Sequence, residues 1–84
     1  MFKIISITDI GVNERVDGEY PKWKCHIVKE VSFAIKNCPC ILEFVDGGYL
    51  RTSTVLRVCN DNIGMTIYTK NSIYYLEKYD KECF

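Results

Sequence analysis

The sequence predicts a mainly β domain: a small SH3-like, partly open barrel of five or six antiparallel strands with at most one short helix, residues 1–84 forming a single unit. Three observations predict it. Thirty-three of the 84 residues are Ile, Val, Thr, Tyr, Phe or Trp, the types that fit a pleated, half-buried surface. Ala, Leu, Met and Gln together number seven, so any helix must rest on Lys and Glu. Short alternating runs separated by Gly, Asn and Asp fill the second half, as in a meander that has to bury one face. At this length a sheet does so by curling on itself, and an OB-like barrel is the alternative closure.

Phe2 to Thr8 reads as the first strand, stopped by Asp9 and Gly11. Residues 11–22 are polar and punctuated by Gly11, Gly18 and Pro21, which predicts a long loop and a candidate contact surface. From Trp23 to Lys36 two periods compete. Trp23, Ile27, Val31 and Ile35 recur every four residues, while Val31, Phe33 and Ile35 alternate with Ser32 and Ala34. The expected outcome is a short helical or irregular segment near 22–28, with Pro21 in its first turn, then a strand near 29–36. Asn37-Cys38-Pro39-Cys40 breaks that strand, because proline removes a ladder donor.

Ile41 to Val45, Asp46-Gly47-Gly48 and Tyr49-Leu50-Arg51 form the strongest hairpin signal, with positive φ at Gly47 or Gly48. The next strand, Tyr49 to Val58, is long, and both Val55 and the pair Leu56/Val58 look buried. A bulge near Ser53 reconciles them. Asn60-Asp61-Asn62 is a turn, Gly64 to Thr69 a strand, Lys70-Asn71 a tip with Asn71 suited to left-handed φ, and Ser72 to Lys78 the closing strand. Tyr79 to Phe84 is expected to pair further or fray. The interior is expected to hold Phe2, Ile4, Val31, Phe33, Leu42, Phe44, Val55, Ile67, Tyr74 and Leu76.

Eleven bases against eleven acids give zero net charge, which removes the global field on which strongly electrostatic nucleic-acid binders rely. No apolar run approaches the roughly 20 residues that cross a bilayer, and Asp9 interrupts any signal-peptide core, so a cytoplasmic location is expected. Five cysteines, an odd set without framework spacing, are expected to be thiols in a reducing compartment.

A nucleophile needs a base within reach, yet the single histidine, His26, follows Cys25 directly, and neighbours on a strand face opposite ways. No enzyme is expected. Cys25/His26 with Cys38/Cys40 offers four zinc-ligand types but not the usual two-residue spacers, and no phosphate-cradling glycine loop is present, so neither metal nor cofactor is expected. Arg51, Thr52, Ser53, Thr69, Asn71 and Ser72 form a polar cluster if two hairpin ends meet, and such clusters chiefly stabilise turns. Eleven aromatic residues exceed what a barrel this small can hide. The candidate binding residues are therefore Tyr20, Trp23, Lys24, Tyr49, Arg51, Arg57, Tyr68, Lys70 and Tyr75. Tyr, Trp and Arg are the usual anchors of protein interfaces. Interleaved with Lys22, Lys24, Arg51, Arg57 and Lys70, the same rings could stack single-stranded bases, which makes an accessory nucleic-acid-binding protein the alternative.

Leu50-Arg51-Thr52-Ser53-Thr54-Val55, followed by Thr69-Lys70-Asn71-Ser72-Ile73-Tyr74-Tyr75-Leu76-Glu77, resembles a pattern shared by many small phage and prophage proteins. The resemblance implies consecutive strands of a small barrel. Some small phage barrels inhibit bacterial defence systems, anti-CRISPR proteins among them, so it also implies a protein-binding inhibitor whose partner is a bacterial host protein or defence complex.

Overall fold

Six strands follow one another along the chain: β1 (Phe2–Thr8), β2 (Ile27–Ser32), β3 (Pro39–Phe44), β4 (Tyr49–Asn60), β5 (Gly64–Thr69) and β6 (Ile73–Lys78). A single helical turn, α1 (Tyr20–Trp23), opens with Pro21, whose fixed φ suits a first turn. The structure, a computed structural model, describes residues 1–79. Each strand pairs antiparallel with the next and β6 returns to β1, closing the barrel in chain order. The small antiparallel barrel is as the sequence predicts, but it is closed and not partly open. Closure is made at the β1–β2 seam by two partner pairs, Phe2↔Val28 and Lys3↔Ile27. Two further backbone bonds extend that seam, Ile4 N–H to the His26 carbonyl at 3.0 Å and Cys25 N–H to the Ile4 carbonyl at 2.7 Å.

The core holds Ile4, Ile7, Val28, Cys40, Leu42, Phe44, Leu50, Val55, Ile67, Tyr74 and Leu76. Of the expected interior, Phe2 and Val31 are half-buried against this cluster, and Phe33 is out of it, 60% exposed. The physical reason is local. β2 begins at Ile27 and ends at Ser32, short of the expected 29–36, because Phe33 adopts a left-handed φ of 61° that ends the alternation. Asn37, at φ 74°, turns the chain again before Pro39, which stands first in β3 where its missing N–H costs least.

β4 carries the bulges that its length demanded. Against β3 the register shifts between Pro39↔Thr54 and Ile41↔Arg51, which leaves one extra residue in the Thr52–Ser53 stretch. Leu56, next to inward Val55, faces out and is 46% exposed, not buried as expected, and a second shift, between Val55↔Thr69 and Arg57↔Tyr68, keeps Arg57 outside too and turns Val58 back toward the core. Leu50 and Thr52 point inward before the first bulge and Val55 after it. Gly47 takes φ 102° in the β3–β4 turn, as the hairpin requires. Asn71 is not among the left-handed residues. The β5–β6 turn is held instead by Thr69, whose hydroxyl donates to the Ser72 carbonyl at 2.7 Å and accepts the Ser72 N–H at 3.1 Å. Tyr79 pairs by its N–H with the Met1 carbonyl at 2.9 Å, and residues 80–84 lie outside the described residues. No helix among the described residues is long and apolar enough to cross a membrane.

Candidate functional site

Three pieces of chain converge on one cleft: α1, the β4 bulge and the β5–β6 turn. The bulge meets the turn through Lys70 N–H to the Thr54 carbonyl at 3.1 Å and Asn71 N–H to Ser53 Oγ at 3.2 Å. Thr52 anchors the bulge from inside. Its Oγ1 accepts the Cys40 N–H at 3.0 Å and donates to the Ser53 carbonyl at 2.7 Å. The polar cluster read from sequence is thus assembled, and its hydroxyls serve the turn and the bulge.

The long loop is fastened to the same turn by Arg15, a residue the sequence reading passed over. Its Nη1 donates to the Asn71 carbonyl and to Ser72 Oγ, both at 2.9 Å, while Nε and Nη2 grip Asp17. The guanidinium also lies 4.3 Å from the Tyr20 ring centroid. Arg15 holds the Asp17 carboxyl below its usual range, and Asp17 in turn raises Arg15. Tyr20 meets Trp23 edge-on, centroids 5.5 Å apart, so the loop delivers two half-buried rings to the cleft wall. Behind them Tyr74 is 2% exposed, and burial pushes its phenol far above the ordinary value, helped by Tyr20.

The resulting cleft, about 500 Å³, has Tyr20, Trp23 and Tyr74 as aromatic wall and Arg51 and Lys70 at its rim. A second cleft of about 660 Å³ adjoins it on the outer face of β3 and β4, lined by Phe33, Ile41, Glu43, Tyr49 and Arg51. Pro39 and Arg51 belong to both. Tyr49 is 68% exposed, and the left-handed Phe33 faces the same hollow. Nothing in the sequence periodicity announces Phe33 here, because the turn that places it depends on its own unusual φ.

Five of the nine predicted binding residues are therefore brought together: Tyr20, Trp23, Tyr49, Arg51 and Lys70. The other four are not. Lys24 is bound to Glu14 at 2.6 Å in a smaller hollow beside Pro21. Arg57 and Tyr68 are a cross-strand pair on β4 and β5, the guanidinium 4.3 Å from the ring centroid. Tyr75 lies on β6 opposite Thr66 and Ser6.

Comparison with family models, with curated proteins and with solved structures finds no match for this chain.

The remaining chemistry-bearing residues are dispersed. His26 packs on Phe44, ring centroids 4.8 Å apart, with Nε2 3.6 Å from Asp46. Cys25, Cys38, Cys40 and Cys59 are free thiols, and desolvation pushes the fully buried Cys40 up to about 11, which keeps it protonated. Among the described residues no three His, Cys, Asp or Glu side chains converge.

Proposed function

We propose that the chain is a non-catalytic, phage-derived binding module that works by occupying a surface of a bacterial host protein, a defence complex such as CRISPR-Cas being the target class to test first. The observation that carries the reading is the convergence of Tyr20, Trp23, Tyr49 and Arg51 on adjoining clefts, since these residue types dominate the energetics of protein interfaces. Phe33 and Tyr49 leave large apolar areas in water, which a folded partner would cover. The resemblance of residues 50–55 and 69–77 to phage and prophage proteins directs the search to a bacterial host.

The test is affinity capture from host lysate with the wild-type chain and with Tyr49→Ala, an exposed-ring variant that leaves the core untouched. A host protein retained by the wild type and lost with Tyr49→Ala supports the reading. Recovery of nucleic acid without protein would replace it with the single-strand-binding alternative.

A further inference from the structure

We infer that the two clefts form one continuous groove for an extended segment of the partner protein, apolar at one end and acidic at the other; this rests on the binding-module reading above. Continuity comes from Pro39 and Arg51, which line both hollows. Polarity comes from the charges. The cations of residues 15–24, on the loop and helical turn, are neutralised locally: Arg15 by Asp17, Lys22 by Glu19 and Lys24 by Glu14. The two at the groove rim are not, since neither Arg51 nor Lys70 has a carboxylate within 4.0 Å among the described residues. Glu43 stands at the opposite end, paired in register with Tyr49.

An occupant is thus read in one direction. Its apolar side chain sits between Phe33 and Tyr49 beside Ile41, and its carboxylates meet Arg51, the register partner of Ile41, and then Lys70 beyond it. Charge complementarity of this kind fixes register and raises the encounter rate. The groove offers few other polar contacts, because Thr52, Ser53 and the Asn71 N–H are already bonded to one another or to the backbone. A nucleic-acid strand would bring phosphates against Glu43 as well as Arg51, and the chain has no net charge to attract it.

The chain has one tryptophan, and it lies in the groove wall, so its emission reports occupancy directly. The probes are a ten-residue peptide with Leu in one half and Glu in the other, the same peptide with Gln for Glu, and a ten-nucleotide oligo-dT. The Leu/Glu peptide is expected to shift the emission saturably, the Gln peptide to bind about tenfold more weakly or worse, and Arg51→Glu with Lys70→Glu to lose the same factor at unchanged thermal midpoint. Equal binding of the Gln peptide, indifference to the double reversal, or no response to the peptides overturns the assignment. A response to oligo-dT in preference overturns it together with the protein-binding reading. A host protein captured equally by wild type and double reversal overturns the acidic segment while leaving the binding module standing.

Discussion

Replacing Thr52 by Val tests whether the β4 bulge is built on one buried hydroxyl. Thr52 is 4% exposed, and its Oγ1 is the acceptor for the N–H of Cys40, a residue with no exposed surface. Valine keeps the shape and removes the oxygen. The Cys40 N–H then has no partner inside the barrel, a loss worth about 1–3 kcal/mol, whereas the part-buried Ser53 carbonyl recovers a bond from water. A loss of about 2 kcal/mol lowers the midpoint of a domain this size by about 8–16 °C. Thr52→Ser is the matched control. It keeps the oxygen and deletes one methyl group, which costs about 1 kcal/mol. Urea unfolding should therefore rank wild type above Thr52→Ser and Thr52→Ser above Thr52→Val, and the Cys40 amide should exchange its hydrogen fastest in the valine variant. A valine variant as stable as the serine one, with Cys40 protection intact, would refute the hydrogen-bond account of the bulge.

Gly64→Ala should lose about 3 kcal/mol, because its Cβ would collide with the Leu76 carbonyl oxygen and lie 2.8 Å from Glu77 Cα, backbone that cannot give way. Gly48→Ala meets only Phe44 Cδ2 at 3.6 Å and should stay within about 0.5 kcal/mol of wild type in the same unfolding assay. Trp23→Ala should cost about 2 kcal/mol, below the range for a full core ring because Trp23 is half-buried, and calorimetry of Trp23→Phe should recover most of it. The Asp61 carboxylate accepts the Gly64 and Ile63 N–H groups, both at 2.8 Å, and these bonds hold its pKa below the usual 3.8. A depressed native value means that its contribution is complete above 3.8 and fades as pH falls through the lower one, so Asp61→Asn should flatten the acid limb of a stability profile below about pH 4.

The second half of the chain was legible because its turns carry their own chemistry. Gly64–Thr69 and the Asp46-Gly47-Gly48 hairpin appear where alternation and glycine placed them, and the bulge near Ser53 is present although it was read from a conflict between Val55 and Leu56/Val58 in which Leu56 proves exposed. The first half failed where backbone conformation overrode pattern. Val31, Phe33 and Ile35 alternate perfectly, yet a left-handed φ at Phe33 breaks the strand and sends Phe33 and Ile35 to the surface. For the site, residue type named five members of the groove, because large aromatics and unpaired cations are what a small barrel leaves outside. Lys24, Arg57 and Tyr68 were equally good by type and are spent on Glu14 and on each other. Which charges find internal partners depends on the register and on the loop, and composition carries neither.

The brevity of the β1–β2 seam bears on how this barrel breathes. β1 is matched to β6 along its whole length, from Phe2↔Lys78 to Thr8↔Ile73, but to β2 over two residues. Energetically β1 is the outer strand of a β4–β5–β6–β1 sheet, latched to β2 like a clasp on a bracelet. Undoing the clasp breaks few hydrogen bonds and leaves every hairpin whole, so partial opening is cheaper here than anywhere else on the circumference. It would bare Ile4 and Val28, neither of which has any exposed surface when the ring is shut. The staple that Arg15 makes to the β5–β6 turn stays in place through such an event, and Tyr20 keeps its station while the wall beside it parts.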